Sequence, residues 1–282
     1  MKIEKISKKD NELVFVIKDI NPVIANTLRR LMISDVPVLT IDEVTFIKND
    51  SALYDEILAH RLGLVPFTTD LSSYDEKDKC SCKDNACVKC QLHATLKAKG
   101  PCTVYAKDIQ TQDPKIKPVY DKMPLVKLLK GQNLEIEAIL TLGRGKEHVK
   151  YSPGIIYYRL YPSIEIKNGK EAVKCMKVCP KDVFTLEKDE LKVKNLLNCD
   201  LCQACSDCSD KIKVSGSDTD FIFYIESFGQ LPPEGILSTA ISKFDEKLDE
   251  FATKLKDVSS GKIKKAVTTT TIKVTKKLKK KK

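Results

Sequence analysis

The chain has 282 residues, 42% apolar and 31% charged, which is enough for two or three domains with cores of their own. No apolar run reaches the length of a membrane span, and the alternating start MKIEKISKKDNELVFVI reads as a strand hairpin, not a signal peptide, so a cytoplasmic protein is expected. The formal net charge of +10 equals the ten lysines of residues 259–282, which hold no acid; the balanced remainder argues against a basic, nucleic-acid-binding body.

Residues 1–18 read as two strands around the turn KKDN, with Leu13, Phe15 and Ile17 on one face. Asn21 can cap a helix that starts at Pro22, whose missing N–H costs nothing there. Ile24, Leu28, Leu31 and Met32 share a face of that helix, Arg29 and Arg30 suit its C-terminal half, and Pro37 prevents continuation. A strand near Ile41–Ile47 follows. Asn49–Leu64 reads as a short helix capped by Asp50 or Ser51, striped by Leu53, Ile57 and Leu58, and ended at Gly63. His60 within it is read as packing or surface.

Residues 80–90, CSCKDNACVKC, place Cys80, Cys82, Cys87 and Cys90 in one loop. A CxC and a CxxC pair at this spacing can bring four thiolates to about 2.3 Å from one tetrahedral Zn²⁺. The alternative is a reduced, cysteine-rich loop without metal. From Gln91 to Leu142 the pattern is mostly strand, with LEIEAILTL alternating cleanly. GRGKEHVKYSP is no dinucleotide loop, because His148 stands where a third glycine belongs and no βαβ unit surrounds it. IIYYRLYPSIEI returns as strand.

Eleven cysteines in a chain expected in the cytoplasm favour metal or cluster ligation over disulfides. Bacterial ferredoxins use CxxCxxCxxxCP, in which the fourth cysteine serves the other cluster. By that rule Cys199, Cys202 and Cys205 join the distant Cys179, which precedes Pro180, on one [4Fe–4S] cube. A [3Fe–4S] cluster on the downstream trio, or zinc on the same four thiolates, remain as alternatives. The second ligand set is depleted. Its first two positions fall on Gly169 and Ala172 and its last on Ser209, leaving Cys175 and Cys208 free or paired with each other.

FIFYIESFGQLPPEG leads into a helix with Leu237, Ile241, Phe244, Leu248, Phe251 and Leu255 at alternating steps of four and three. Such a seam suits docking on another helix: it is expected to pack against the Asn21–Ser34 helix, the two together forming a face for a partner, and burying it would contribute about 10 kcal/mol at most. The segment 259–282 is of low complexity and is expected to be a disordered basic tail.

Several of these stretches carry a resemblance. NPxxANTLRR running through SDVP into TIDEVTFI resembles the assembly helix of the α-type RNA polymerase subunits, and most nearly that of the archaeal D-type subunits. DEILAHRLGLVPF, LGxGxxHxKxxP and FxIESxGxLPPE are similar to the same family at three further places, so the likeness spans roughly residues 1–258. It implies an α+β fold: a discontinuous dimerisation domain (1–43, 153–164 and 215–258), an inserted strand-rich domain (44–152) and an inserted ferredoxin-like domain (165–214). It also implies a non-catalytic subunit of the polymerase, a nucleotidyltransferase. Ile24, Leu28, Leu31, Leu237, Ile241, Phe244 and Leu248 would face a partner. That partner would be the small subunit L, and the pair would carry the large catalytic subunits and other small subunits, meeting DNA only through the complex. Eukaryotic relatives carry zinc at the loop matching 80–90. No acidic triplet for nucleotidyl transfer and no nucleophile–base arrangement is visible. Two rival readings are an electron-transfer or redox-sensing protein built on the cluster, and a DNA-binding protein using the lysine tail.

Overall fold

A computed structural model of the chain describes residues 1–82 and 87–259. In chain order the elements are β1 (Lys2–Lys9), β2 (Glu12–Lys18), α1 (Pro22–Ser34), β3 (Pro37–Asn49), α2 (Asp55–Gly63), β4 (Leu92–Lys99), β5 (Cys102–Tyr105), β6 (Gln110–Thr111), β7 (Pro124–Leu128) and β8 (Asn133–Arg144). Then come β9 (Gly154–Ile166), β10 (Phe184–Glu187), β11 (Glu190–Val193), α3 (Ala204–Cys208), β12 (Ile212–Ser227) and α4 (Pro233–Ser259). The chain divides into two compact units, Met1–Lys243 and Phe244–Lys282. Of the second unit, the described part is helical to Ser259; beyond that residue the expected basic tail lies outside the described residues.

The first unit holds an antiparallel sheet of order β1-β2-β12-β9, which joins the start of the chain to its far end. Phe15 stacks on Phe223 across the β2–β12 pair, with centroids 5.3 Å apart, and Tyr158 meets Phe221 edge-on. The Asn21 side chain accepts hydrogen bonds from the amides of Val23 and Ile24, which gives α1 the expected cap. Ala25, Leu31 and Met32 form the buried side of this helix, which packs on β9 and β12.

A second antiparallel sheet, β3-β8-β4-β6, is joined by the β5–β7 pair. Leu58 and Leu62 of α2 enter the core of this sheet with Leu39, Phe67, Leu96, Ile136 and Leu140. Its first strand starts at Pro37, earlier than the expected Ile41. The next helix starts later than expected. Asn49 draws the chain into a tight turn by accepting from the Ser51 amide and hydroxyl and donating to Asp55, so neither Asp50 nor Ser51 caps α2. Asp50 instead accepts from the amide of Asn133 at the end of β8. Ile57, assigned to the inward stripe, is exposed, and Leu62 takes the inward place. Between β9 and β12 the β10–β11 hairpin and α3 enclose a small core of their own around Ala172, Val183, Phe184 and Leu191.

Candidate metal centres and assembly face

In the loop at 80–90, whose residues 83–86 lie outside the described residues, four thiols converge. The sulfurs of Cys80 and Cys87 lie 3.4 Å apart, those of Cys82 and Cys90 3.7 Å, and those of Cys87 and Cys90 3.6 Å. All four lie within 4.8 Å of one another, the only such group of three or more among the described residues. A tetrahedral ion with metal–sulfur bonds of about 2.3 Å keeps its thiolates about 3.8 Å apart, so the donor set suits a single ion. Hydrogen bonding with Cys80 lowers the Cys87 thiol to about 7 and pushes Cys82 up to about 12. One acidic thiol among its neighbours offers an incoming metal a ready thiolate. The loop is closed by the amides of Cys90 and Gln91, which both donate to the Cys87 carbonyl.

The insert between β9 and β12 gathers a different set. Cys179, Cys199, Cys202 and Cys205 line one pocket, with Val183 and Phe184 among its apolar walls. Four cysteines around one pocket are a donor set that suits an iron–sulfur cluster or a single ion. Burial raises the thiols of Cys199 and Cys205. The backbone turns around the pocket through Leu201 and Gln203, both in the left-handed region at φ 62° and 66°. Cys175 and Cys208 are joined as a disulfide with Cα atoms 5.9 Å apart. The first two positions of the depleted ligand set are packed shut: Ala172 is fully buried, and a Cβ on Gly169 would come within 3.0 Å of the Leu191 carbonyl oxygen.

Of the residues expected to face a partner, Ile24 is 47% exposed, Leu28 is half-buried and Leu31 is buried in the chain's own core. On α4, Leu237 and Phe244 are half-buried, whereas Ile241 and Leu248 are exposed. The inward side of α4 is instead formed by Pro233, Ile236 and Ala240, a stripe that the periodicity of the larger side chains concealed. Ile241 therefore lies off the buried side, and Leu237 at its margin. In the second unit Phe251 and Leu255 are also exposed, at 63% and 58%.

The GRGKEHVKYSP turn is held by close packing. Gly143 leaves room for the Tyr151 ring, and Gly145 lies where a Cβ would strike the Ile33 carbonyl at the end of α1. His148 accepts from the Lys150 amide through Nδ1, and His60 lies on the surface. Periodicity did not find the polar knot below this turn. Asp42 accepts from Lys150 Nζ at 3.0 Å and from the Tyr151 hydroxyl at 3.1 Å, and Lys77 pairs with it from outside. Burial alone would raise the Asp42 carboxyl, but these hydrogen bonds outweigh it and hold the group below its ordinary value. Nearby, Glu76 pairs with Arg144 and Lys243.

The fold is mixed α/β with several antiparallel sheets: the β1–β2 hairpin pairs with β12 and through it with β9, while β3, β8, β4 and β6 form a second sheet from the segment between β2 and β9. Residues 39–157 match the family model of the RNA polymerase Rpb3/RpoA insert domain. Across nearly its whole length the chain is similar to archaeal proteins. It is 39% identical over 261 residues to DNA-directed RNA polymerase subunit Rpo3 of Methanosphaera stadtmanae, covering 88% of this chain and 96% of that one. The corresponding protein of Methanobrevibacter smithii is 36% identical (89% and 97% covered) and that of Pyrococcus furiosus 34% (92% and 99%). The chain belongs to the family of archaeal DNA-directed RNA polymerase Rpo3 subunits, the D-type subunits, as its motifs implied. No helix among the described residues is long and apolar enough to cross a membrane.

Proposed function

We propose that this chain is the non-catalytic assembly platform of its polymerase, working in the cytoplasm. Its β1-β2-β12-β9 sheet, α1 and α4 form a discontinuous dimerisation domain, interrupted by a strand-rich insert and a ferredoxin-like insert. The observation that carries this reading is the exposure of Ile241 and Leu248 along α4, whose Ile236 and Ala240 are buried. Large apolar side chains repeated along one exposed face mark a surface that a partner covers. The small subunit L would dock there to form a heterodimer. The large catalytic subunits and other small subunits assemble on that pair, and DNA is met only through the complex.

Cys179, Cys199, Cys202 and Cys205 would hold one iron–sulfur cluster, [4Fe–4S] or [3Fe–4S], which supplies a redox-active cross-link when bound. The packed state of the second ligand set supports one cluster, not two. The quartet of Cys80, Cys82, Cys87 and Cys90 would hold Zn²⁺. Substitution Ile241→Asp in the full chain tests the platform. A carboxylate on this face has no partner to replace the lost apolar contact, so subunit L should no longer co-purify while cluster absorbance persists. Retention of a stoichiometric small subunit would refute the surface. Recovery of a redox partner in place of polymerase subunits would favour the electron-transfer reading.

A further inference from the structure

The loop that carries three of the four insert thiols is gripped from outside the insert. Arg159 stands on β9 opposite Ile222 of β12. Its guanidinium donates to the carbonyl of Cys199 at 3.1 Å and to the carbonyl of Leu197. The same group lies over the Tyr224 ring, 5.1 Å from its centroid, and Tyr224 stacks on Tyr157 with centroids 4.8 Å apart. The half-buried guanidinium thus meets the loop through its two terminal nitrogens and the Tyr224 side chain on its other side, while its buried Nε has no hydrogen-bond partner.

Two further contacts hold the loop to the same pair of strands. Leu201 packs against Gly216: a Cβ there would come within 3.1 Å of Leu201 Cδ1 and 2.7 Å of the Leu160 side chain. Gln203 Nε2 donates to the Val214 carbonyl at 3.2 Å. Leu201 and Gln203 are the two residues of this loop with left-handed backbone, a conformation that L side chains keep only where surrounding contacts impose it. The β9–β12 ladder shifts register just beyond this point, between Gly216 and Phe221.

We infer that Arg159 is the positioning residue of the cluster loop: by gripping the Leu197 and Cys199 carbonyls from β9, it pre-sets Cys199, Cys202 and Cys205 around their pocket. The inference rests on the cluster reading proposed above. A planar guanidinium presents its N–H groups to two carbonyls in a fixed fork, whereas a lysine ammonium is a compact charge on a flexible stem and would hold them less firmly. The residue touches no ligand atom; it acts through the backbone that presents the ligands.

The test uses the full-length chain, as wild type, Arg159→Lys and Arg159→Met, reconstituted anaerobically with ferrous iron and sulfide. Bleaching of the visible absorbance by a ferrous-iron chelator should be at least tenfold faster in Arg159→Met and intermediate in Arg159→Lys. Tenfold corresponds to 1.4 kcal/mol, less than two charge-assisted hydrogen bonds ordinarily contribute. In the iron-free chains, amide exchange over residues 197–205 should accelerate at least tenfold in Arg159→Met, while amides of β2 and β8 stay within about twofold of wild type. Bleaching and exchange at wild-type rates in Arg159→Met would overturn the assignment. Should that variant lose β2 protection and prove unfolded, Arg159→Lys decides, and wild-type behaviour there would overturn it equally. Failure of the wild type to take up iron and sulfide would remove the cluster reading, and the exchange comparison would still decide the positioning role.

Discussion

Gly143→Ala probes the turn that joins the two sheets. Gly143 sits in the extended backbone of β8 opposite Val38, so an alanine costs little in backbone conformation. Its methyl, however, would lie 2.5–2.6 Å from three ring atoms of Tyr151. That ring has nowhere to retreat: Tyr151 is buried, and its hydroxyl is held at 3.1 Å by both Thr141 and Asp42. Overpacking of this kind costs about 1–3 kcal/mol, and a displaced ring would also weaken two hydroxyl contacts of about 1 kcal/mol each. A loss of about 2–4 kcal/mol in unfolding free energy is expected, measured by urea denaturation of the full chain followed by circular dichroism. The mechanism is isolated by a double-mutant cycle. In a Tyr151→Leu background the space is relieved, and the added methyl should cost less than about 1 kcal/mol. An equal loss in both backgrounds would refute the steric argument.

Other consequences are equally direct. Single serine substitutions at Cys199, Cys202 or Cys205 should abolish bound iron, and Cys179→Ser should do so or convert a four-iron to a three-iron signal. Cys175→Ser and Cys208→Ser should leave iron near wild type, and the reverse pattern, read by iron analysis and electron paramagnetic resonance, would sink the crossed ligand assignment. Metal analysis of the full chain should find one zinc per chain, lost in Cys87→Ser; undiminished zinc in that variant would place the ion elsewhere. The Asp42 carboxyl is depressed in the folded chain, so its contribution is complete above the ordinary value of 3.8 and disappears as pH falls through the lowered one. The stability gap between wild type and Asp42→Asn should therefore be open at pH 7 and narrow steadily in acid, and a gap that does not change with pH would contradict the Lys150–Asp42–Tyr151 knot.

What the sequence by itself determined is local or covalent. Asn21 and Pro22 specify the start of α1 because cap and first turn lie within three residues of each other. Alternation specified strands such as β8, and the spacing of cysteines announced two thiol sets because ligand loops are short. The family motifs were legible for the same reason. Tertiary structure decided what depends on residues far apart in the chain. Periodicity of bulky side chains on α4 picked out Leu237 and Ile241, yet the small Ala240 and its neighbour Ile236 turn inward, because the space left by the sheets, not the size of the side chain, selects the buried face. Asn49 displaced the start of α2 by competing for the chain through its own side chain. Asp42 meets Lys150 across 108 residues, and Arg159 meets Leu197 across 38, since antiparallel pairing brings together strands that no local signal connects. That the four thiols at 80–90 come within 4.8 Å of one another is likewise a distance which only the folded chain sets.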